Sequence, residues 1–138
     1  MLWKSLTGKL DFIMRVQSFG RILIVEDEPL IAEMLMDWVL ELGCELAGPV
    51  ASNDAGLALL AEGNVRAAIL DITVTDGHTY PIAKQLQKLG VPFAFATGHG
   101  SESIDPKFRD VPILQKPFDF DAFASVIASL ARSHSHNL

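Results

Sequence analysis

The stretch that most constrains the fold is Arg66-Ala67-Ala68-Ile69-Leu70-Asp71-Ile72-Thr73. It is a short apolar run that ends in one carboxylate and is followed at once by the turn residues Thr75-Asp76-Gly77. A continuous apolar segment of this length, bounded by a turn, predicts a strand buried on both faces. The interior of such a strand tolerates a free carboxylate poorly. Its carboxyl end, where the chain leaves the sheet, is where open α/β sheets bind ligands. Asp71 is therefore placed as a working residue.

The rest of the chain must bury that strand from both sides, and 138 residues suffice for one domain with a proper core. With 49% hydrophobic and 20% charged residues, the chain is expected to be ordered throughout its body. A formal net charge of -6 argues against a nucleic-acid partner. The single cysteine, Cys44, excludes an internal disulfide and is expected as a buried core thiol. No apolar run approaches the length of a membrane span, and Met1-Leu2-Trp3-Lys4 does not begin a good signal peptide. The expectation is a cytoplasmic protein with no membrane attachment.

Read in order, residues 1–20 form an extension. Leu2, Leu6, Leu10 and Ile13 could share a helical face that docks on the domain or on a second copy, as a homodimer would require, but Thr7-Gly8 interrupts it and favours a frayed leader. Arg21-Ile22-Leu23-Ile24-Val25 is a β-branched buried strand, with Glu26-Asp27-Glu28 at its exit. Pro29 opens a helix that runs to about Leu42, with Ile31, Met34, Leu35, Trp38 and Leu42 on its inner face and Gly43 ending it. Glu45 to Val50 is a second strand. Ser52 or Asn53 caps a helix through Leu60, stopped by Gly63-Asn64. After the central strand, Tyr80 to Leu89 makes a third helix with Ile82, Leu86 and Leu89 inward. Val91 to Ala96 is the fourth strand and empties into Thr97-Gly98-His99-Gly100. The segment that follows contains Pro106 and has room only for a short helix. Val111 to Gln115 is the fifth strand, with Lys116-Pro117 at its exit. Asp119 caps a last helix whose core face is Phe120, Phe123, Ile127 and Leu130, and residues 133–138 form a polar tail. Strands alternating with helices imply one parallel sheet with right-handed crossovers.

Each strand exit that could reach a common cleft carries a chemically useful group: Glu26 and Asp27, then Asp71, Thr97 and Lys116. Three converging carboxylates repel one another unless they share protons or a cation. The donors are hard oxygens, few in number, with no histidine or cysteine among them, which favours Mg²⁺. A cation, an ammonium and a hydroxyl together suit a phosphoryl group. Asp71 would be the nucleophile and form an aspartyl phosphate. Singly each feature is weak, since an acidic pair after a strand is commonly a helix cap and Lys-Pro a surface turn. Their combination in one small chain is a strong signal.

In this order, Glu26-Asp27, Asp71, Thr97 and Lys116-Pro117 resemble the receiver domain of two-component response regulators, over roughly residues 21–132. The resemblance implies a flavodoxin-like, five-stranded parallel sheet of order 2-1-3-4-5 flanked by helices, the fourth of them short here. It implies Asp71 as phosphoacceptor, Asp27 as a direct Mg²⁺ ligand and Glu26 as one largely through water. It further implies the Thr73 backbone carbonyl as another ligand, Thr97 and Lys116 as partners of the phosphoryl group, and a cis Lys116-Pro117 bond. The sequence departs from typical receivers at Ile113, where an aromatic is usual, and at Thr75, where proline is common. With Phe93-Ala94-Phe95-Ala96-Thr97-Gly98-His99-Gly100, it resembles the FAT GUY receivers, which are associated with HWE and related histidine kinases. The partners so implied are a sensor histidine kinase or a phosphotransfer protein, and a downstream protein.

Other readings remain in view. One is a binding module or phosphate sink on the receiver fold, against which the full set of acceptor, acids, hydroxyl and lysine speaks. Another is a Mg²⁺-dependent phosphatase, for which only His99 could serve as a second acid or base. A dinucleotide enzyme is excluded by the lack of Gly-x-Gly-x-x-Gly after Val25. The expectation is a phosphoacceptor signalling protein and not an enzyme that turns over a small molecule.

Overall fold

The computed structural model describes residues 20–98 and 104–136. The leader, His99 and the side chains of the His134-x-His136 pair lie outside the described residues. The chain runs β1 (Arg21–Val25), α1 (Pro29–Glu41), β2 (Glu45–Val50), α2 (Asn53–Glu62) and β3 (Val65–Asp71). A small hairpin follows, β4 (Thr73–Val74) and β5 (Gly77–His78), then α3 (Tyr80–Leu89), β6 (Phe93–Thr97), a 3-10 turn (Pro106–Phe108), β7 (Ile113–Gln115) and α4 (Phe120–His136).

The main sheet is parallel throughout, in the order β2-β1-β3-β6-β7. With the hairpin set aside this is the flavodoxin-like order 2-1-3-4-5. Where a short fourth helix was expected, the described residues hold only the 3-10 turn, pinned by the buried Phe108 and Ile104.

Alternation along the strands divides the core in two. Ile22, Ile24, Ala67 and Ile69 point to one face, under Leu35 and Val39 of α1 and Phe123 and Ile127 of α4. Leu23, Val25, Ala68 and Leu70 point to the other, under Leu60 of α2 and Ile82 and Leu86 of α3. Each fully buried aliphatic side chain of this kind stabilises by about 1.5–3 kcal/mol relative to exposure. Strands β1 and β3 are covered on both faces, so their only free direction is along their own axes. That fixes where polar groups can stand: at the ends.

Several expected details differ. The buried line of α1 is Ala32, Leu35, Val39 and Leu42, while Ile31, Met34 and Trp38 flank it. Trp38 instead packs beside α4, its ring 5.5 Å from that of Phe123 and 5.8 Å from that of Phe120. Leu89 is 52% exposed, because it is the final residue of α3 and Gly90 turns left-handed (φ 69°) directly after it. Strands β6 and β7 begin two residues later than the apolar runs do. In both runs the second residue is proline, Pro92 or Pro112, which has no N–H for the ladder. Phe120 is only partly buried, and α4 continues to His136, so Ser133 to His136 are helical.

Candidate functional site

The parallel sheet brings the exits of β1, β3, β6 and β7 to one edge. Glu26 follows β1 and is 3% exposed; its backbone N–H donates to the Val50 carbonyl at 2.8 Å. Its two carboxylate oxygens have separate partners. Oε2 accepts from the Glu28 N–H at 3.1 Å, and Oε1 accepts from Lys116 Nζ at 2.8 Å. Asp27, beside it, is half-buried. Pro29 at the start of α1 brings no N–H of its own to satisfy, and Glu28, at the N-cap, makes no side-chain cap bond.

Asp71 closes β3. Its Oδ2 accepts from Lys116 Nζ at 3.0 Å and its Oδ1 from the Thr73 N–H at 3.3 Å. Glu26, Asp27 and Asp71 each offer an oxygen within 4.8 Å of the others. Lys116, following β7, reaches back across the sheet edge, with its own N–H donating to the Thr97 carbonyl at 2.8 Å. Thr97 is buried at the end of β6, one residue past Ala96, the register partner of Asp71. The Lys116-Pro117 peptide is cis, as the resemblance implies, and so is Gly48-Pro49, which nothing in the sequence pointed to.

The electrostatics follow from burial. Removal from water pushes the Glu26 carboxyl up to about 7; its hydrogen bond to Asp71 acts the same way, against the Lys116 ammonium and the Glu28 N–H. Lys116 is held above the ordinary lysine range: burial opposes its charge, but Glu26 and Asp71 together outweigh that. One ammonium thus bridges two of the three crowded carboxylates, Glu26 and Asp71. The donor set is all hard oxygen, which fits Mg²⁺.

All five side chains singled out from sequence therefore stand at one edge, and Thr73 lies just beyond Asp71 on the exposed hairpin. Other residues of the site were not foreseen. Thr79 is fully buried and donates from Oγ1 to the Asp71 carbonyl at 2.7 Å, while its N–H donates to the Ile72 carbonyl at 3.0 Å. It occupies the N-cap position of α3, yet its side chain makes no cap bond. Tyr80 stacks on Phe108 with ring centroids 5.3 Å apart and accepts from the Asp105 N–H at 3.0 Å.

No protein-family model matches the chain, and no curated protein sequence does either. Solved structures do. SdrG from Sphingomonas melonis Fr1 is 44% identical, with 81% of this chain and 96% of that chain covered and a TM-score of 0.73. The receiver domain of the response regulator PhyR from Erythrobacter litoralis is 26% identical over 80% of this chain and 88% of that one, with a TM-score of 0.68. The response regulator PhyR from Brucella abortus is 29% identical over 85% of this chain and 49% of that one, TM-score 0.74. The chain belongs to the response-regulator receiver family. In this receiver Glu26, Asp27, Asp71, Thr97 and Lys116 meet at the carboxyl edge of the sheet, and Ile113 on β7 is aliphatic and half-buried.

Proposed function

We propose that Asp71 accepts a phosphoryl group from a histidine kinase, of the HWE class or its relatives, or from a phosphotransfer protein, in a Mg²⁺-dependent reaction. A carboxylate oxygen of Asp71 attacks the phosphorus of a phosphohistidine. The new P–O bond forms as the P–N bond breaks, and the imidazole leaves and takes up a proton. Lys116, already 3.0 Å from Asp71, pairs with the transferred group, and the Thr97 hydroxyl donates a hydrogen bond to it. Glu26, Asp27, Asp71 and the Thr73 carbonyl would hold Mg²⁺, which when bound neutralises charge on the phosphoryl oxygens. Thr79 keeps the Asp71 backbone in place while the side chain reacts.

The observation that carries this reading is the bridge of Lys116 between Glu26 and Asp71, at the mouth of a strand whose residues Ala67 to Leu70 are all buried. SdrG of Pseudomonas melonis Fr1, 45% identical, has a BeF3-activated conformation, and beryllofluoride is a tetrahedral stand-in for a phosphoryl group. That supports the same chemistry here. The signal leaves by protein contact in the cytoplasm, to a downstream protein and not to nucleic acid. The chain acts as an acceptor and not as an enzyme turning over a small molecule. The described residues include no helix long and apolar enough to cross a membrane.

Titration with beryllium fluoride and Mg²⁺, followed by ¹⁵N NMR, tests it. Amide signals of Asp71, Thr73, Thr97 and Lys116 should shift in the wild type and stay in place in Asp71→Asn or without Mg²⁺. A wild type that does not respond refutes the reading.

A further inference from the structure

The hairpin β4–β5, directly after Asp71, is fastened from its far side by the start of α2. Asp76, in the hairpin turn, accepts at Oδ1 from the Asn53 N–H at 2.8 Å and from Asn53 Nδ2 at 3.2 Å. Its Oδ2 lies 3.4 Å from the Asp54 N–H. Asn53 Nδ2 donates a second bond, to the His78 carbonyl at 2.9 Å. Thr75 adds two bonds to the Ala51 carbonyl, from Oγ1 at 2.7 Å and from its N–H at 3.3 Å.

Helix α2 does not need Asn53 for itself. Ser52 already caps it, with Oγ accepting from the Ala55 N–H at 3.1 Å. Asn53 is buried, and its Oδ1 meets no hydrogen-bond donor among the described residues. An unsatisfied buried acceptor is a standing cost, which alanine or serine at this place would avoid. What Asn53 supplies instead is an amide nitrogen that donates both to Asp76 in the hairpin turn and to His78 at the end of β5. The hairpin in turn sets Thr73 opposite His78, with Thr73 Oγ1 3.2 Å from His78 Nδ1, and its first N–H donates to Asp71 Oδ1.

We propose that Asn53 and Asp76 are positioning residues for phosphoryl acceptance: they latch the hairpin to α2 and thereby hold Thr73 in register with Asp71 for metal and phosphoryl binding. The inference rests on the reading of Asp71 as phosphoacceptor. Groups that orient a metal ligand without touching the metal typically change affinity 10–100-fold when removed. The latch spans 23 residues of sequence, so it also ties the β2–α2 connection to the reacting loop.

The test uses the full chain and the variants Asp76→Ala, Asn53→Ala, their double and Asp76→Asn. Three quantities are measured: Mg²⁺ affinity by NMR titration, phosphorylation rate with acetyl phosphate at saturating Mg²⁺, and amide hydrogen exchange of Thr73, Thr75 and Thr79 without either ligand. Each single alanine variant should lower Mg²⁺ affinity or rate about tenfold. The double should be no worse than the poorer single, since the two residues act as one unit. Asp76→Asn, which keeps an acceptor oxygen, should recover most of the loss. Urea unfolding accompanies each measurement. Variants that lose only urea stability, with wild-type affinity, rate and exchange, overturn the proposal, as does strict additivity. If the wild type takes up no phosphoryl group while the variants still accelerate hairpin exchange and weaken Mg²⁺ binding, Asp71's role fails and the latch stands. Unchanged exchange refutes the latch.

Discussion

Glu26 and Asp71 share the Lys116 ammonium but differ in what else surrounds them. Glu26 is the more deeply buried, and its carboxyl titrates near about 7, well above 4.5. Between those two values the folded protein holds a proton that the unfolded chain has lost. Without Mg²⁺, stability from this group therefore falls as pH rises from about 4.5 toward 7. Mg²⁺ needs the deprotonated form, so its apparent affinity should weaken about tenfold from pH 8 to pH 6. Glu26→Gln should flatten that dependence while weakening binding overall. A flat profile in the wild type contradicts it; calorimetric titration at the two pH values decides. The five groups at the edge were legible in the sequence because each directly follows an apolar strand run. Asn53, Asp76 and Thr79 were not. Each stands at a helix start or in a turn; Asn53 and Asp76 meet only once the hairpin lies against the start of α2, and Thr79 meets Asp71 only once the hairpin between them closes.

Among the elements, α1 shows where a pattern was present but misread. Its only charged residues, Glu33, Asp37 and Glu41, form one narrow exposed stripe. At about 100° per residue, the direction opposite that stripe is Leu35 and Val39, with Ala32 and Leu42 beside them. Those are the buried four, and Leu30 and Leu40, on the acidic side, are exposed. Choosing the largest apolar residues, Met34 and Trp38, moved the inferred face toward one flank. Strand β2 was legible in its bounds, Glu45–Val50, though not in its geometry. Gly48 sits there at φ 97°, and a Cβ would meet the Ile24 carbonyl oxygen at 2.9 Å. Both the positive φ and the backbone contact forbid a side chain, so Gly48→Ala should destabilise by more than about 1 kcal/mol. Chemical denaturation checks this, and an unchanged midpoint would mean that β2 relaxes freely at its bulge.

At the scale of the whole molecule, the parallel order does the arranging. Right-handed crossovers send every strand the same way, so carboxyl ends far apart in sequence meet at one edge: Lys116 lies 90 residues from Glu26 and 45 from Asp71. That much followed from the alternation of elements, which implies a parallel sheet whose strand exits share one edge. The aromatic cluster of Tyr80, Phe95 and Phe108 did not follow, since it depends on how the 3-10 turn folds over β6. The central claim, that this edge takes a phosphoryl group on Asp71 with Mg²⁺, is most directly tested by intact-protein and peptide mass spectrometry after incubation with acetyl phosphate. One phosphoryl group should appear, map to Asp71, and be absent in Asp71→Asn and in excess chelator. Label that persists in Asp71→Asn, or forms equally without Mg²⁺, would contradict the account.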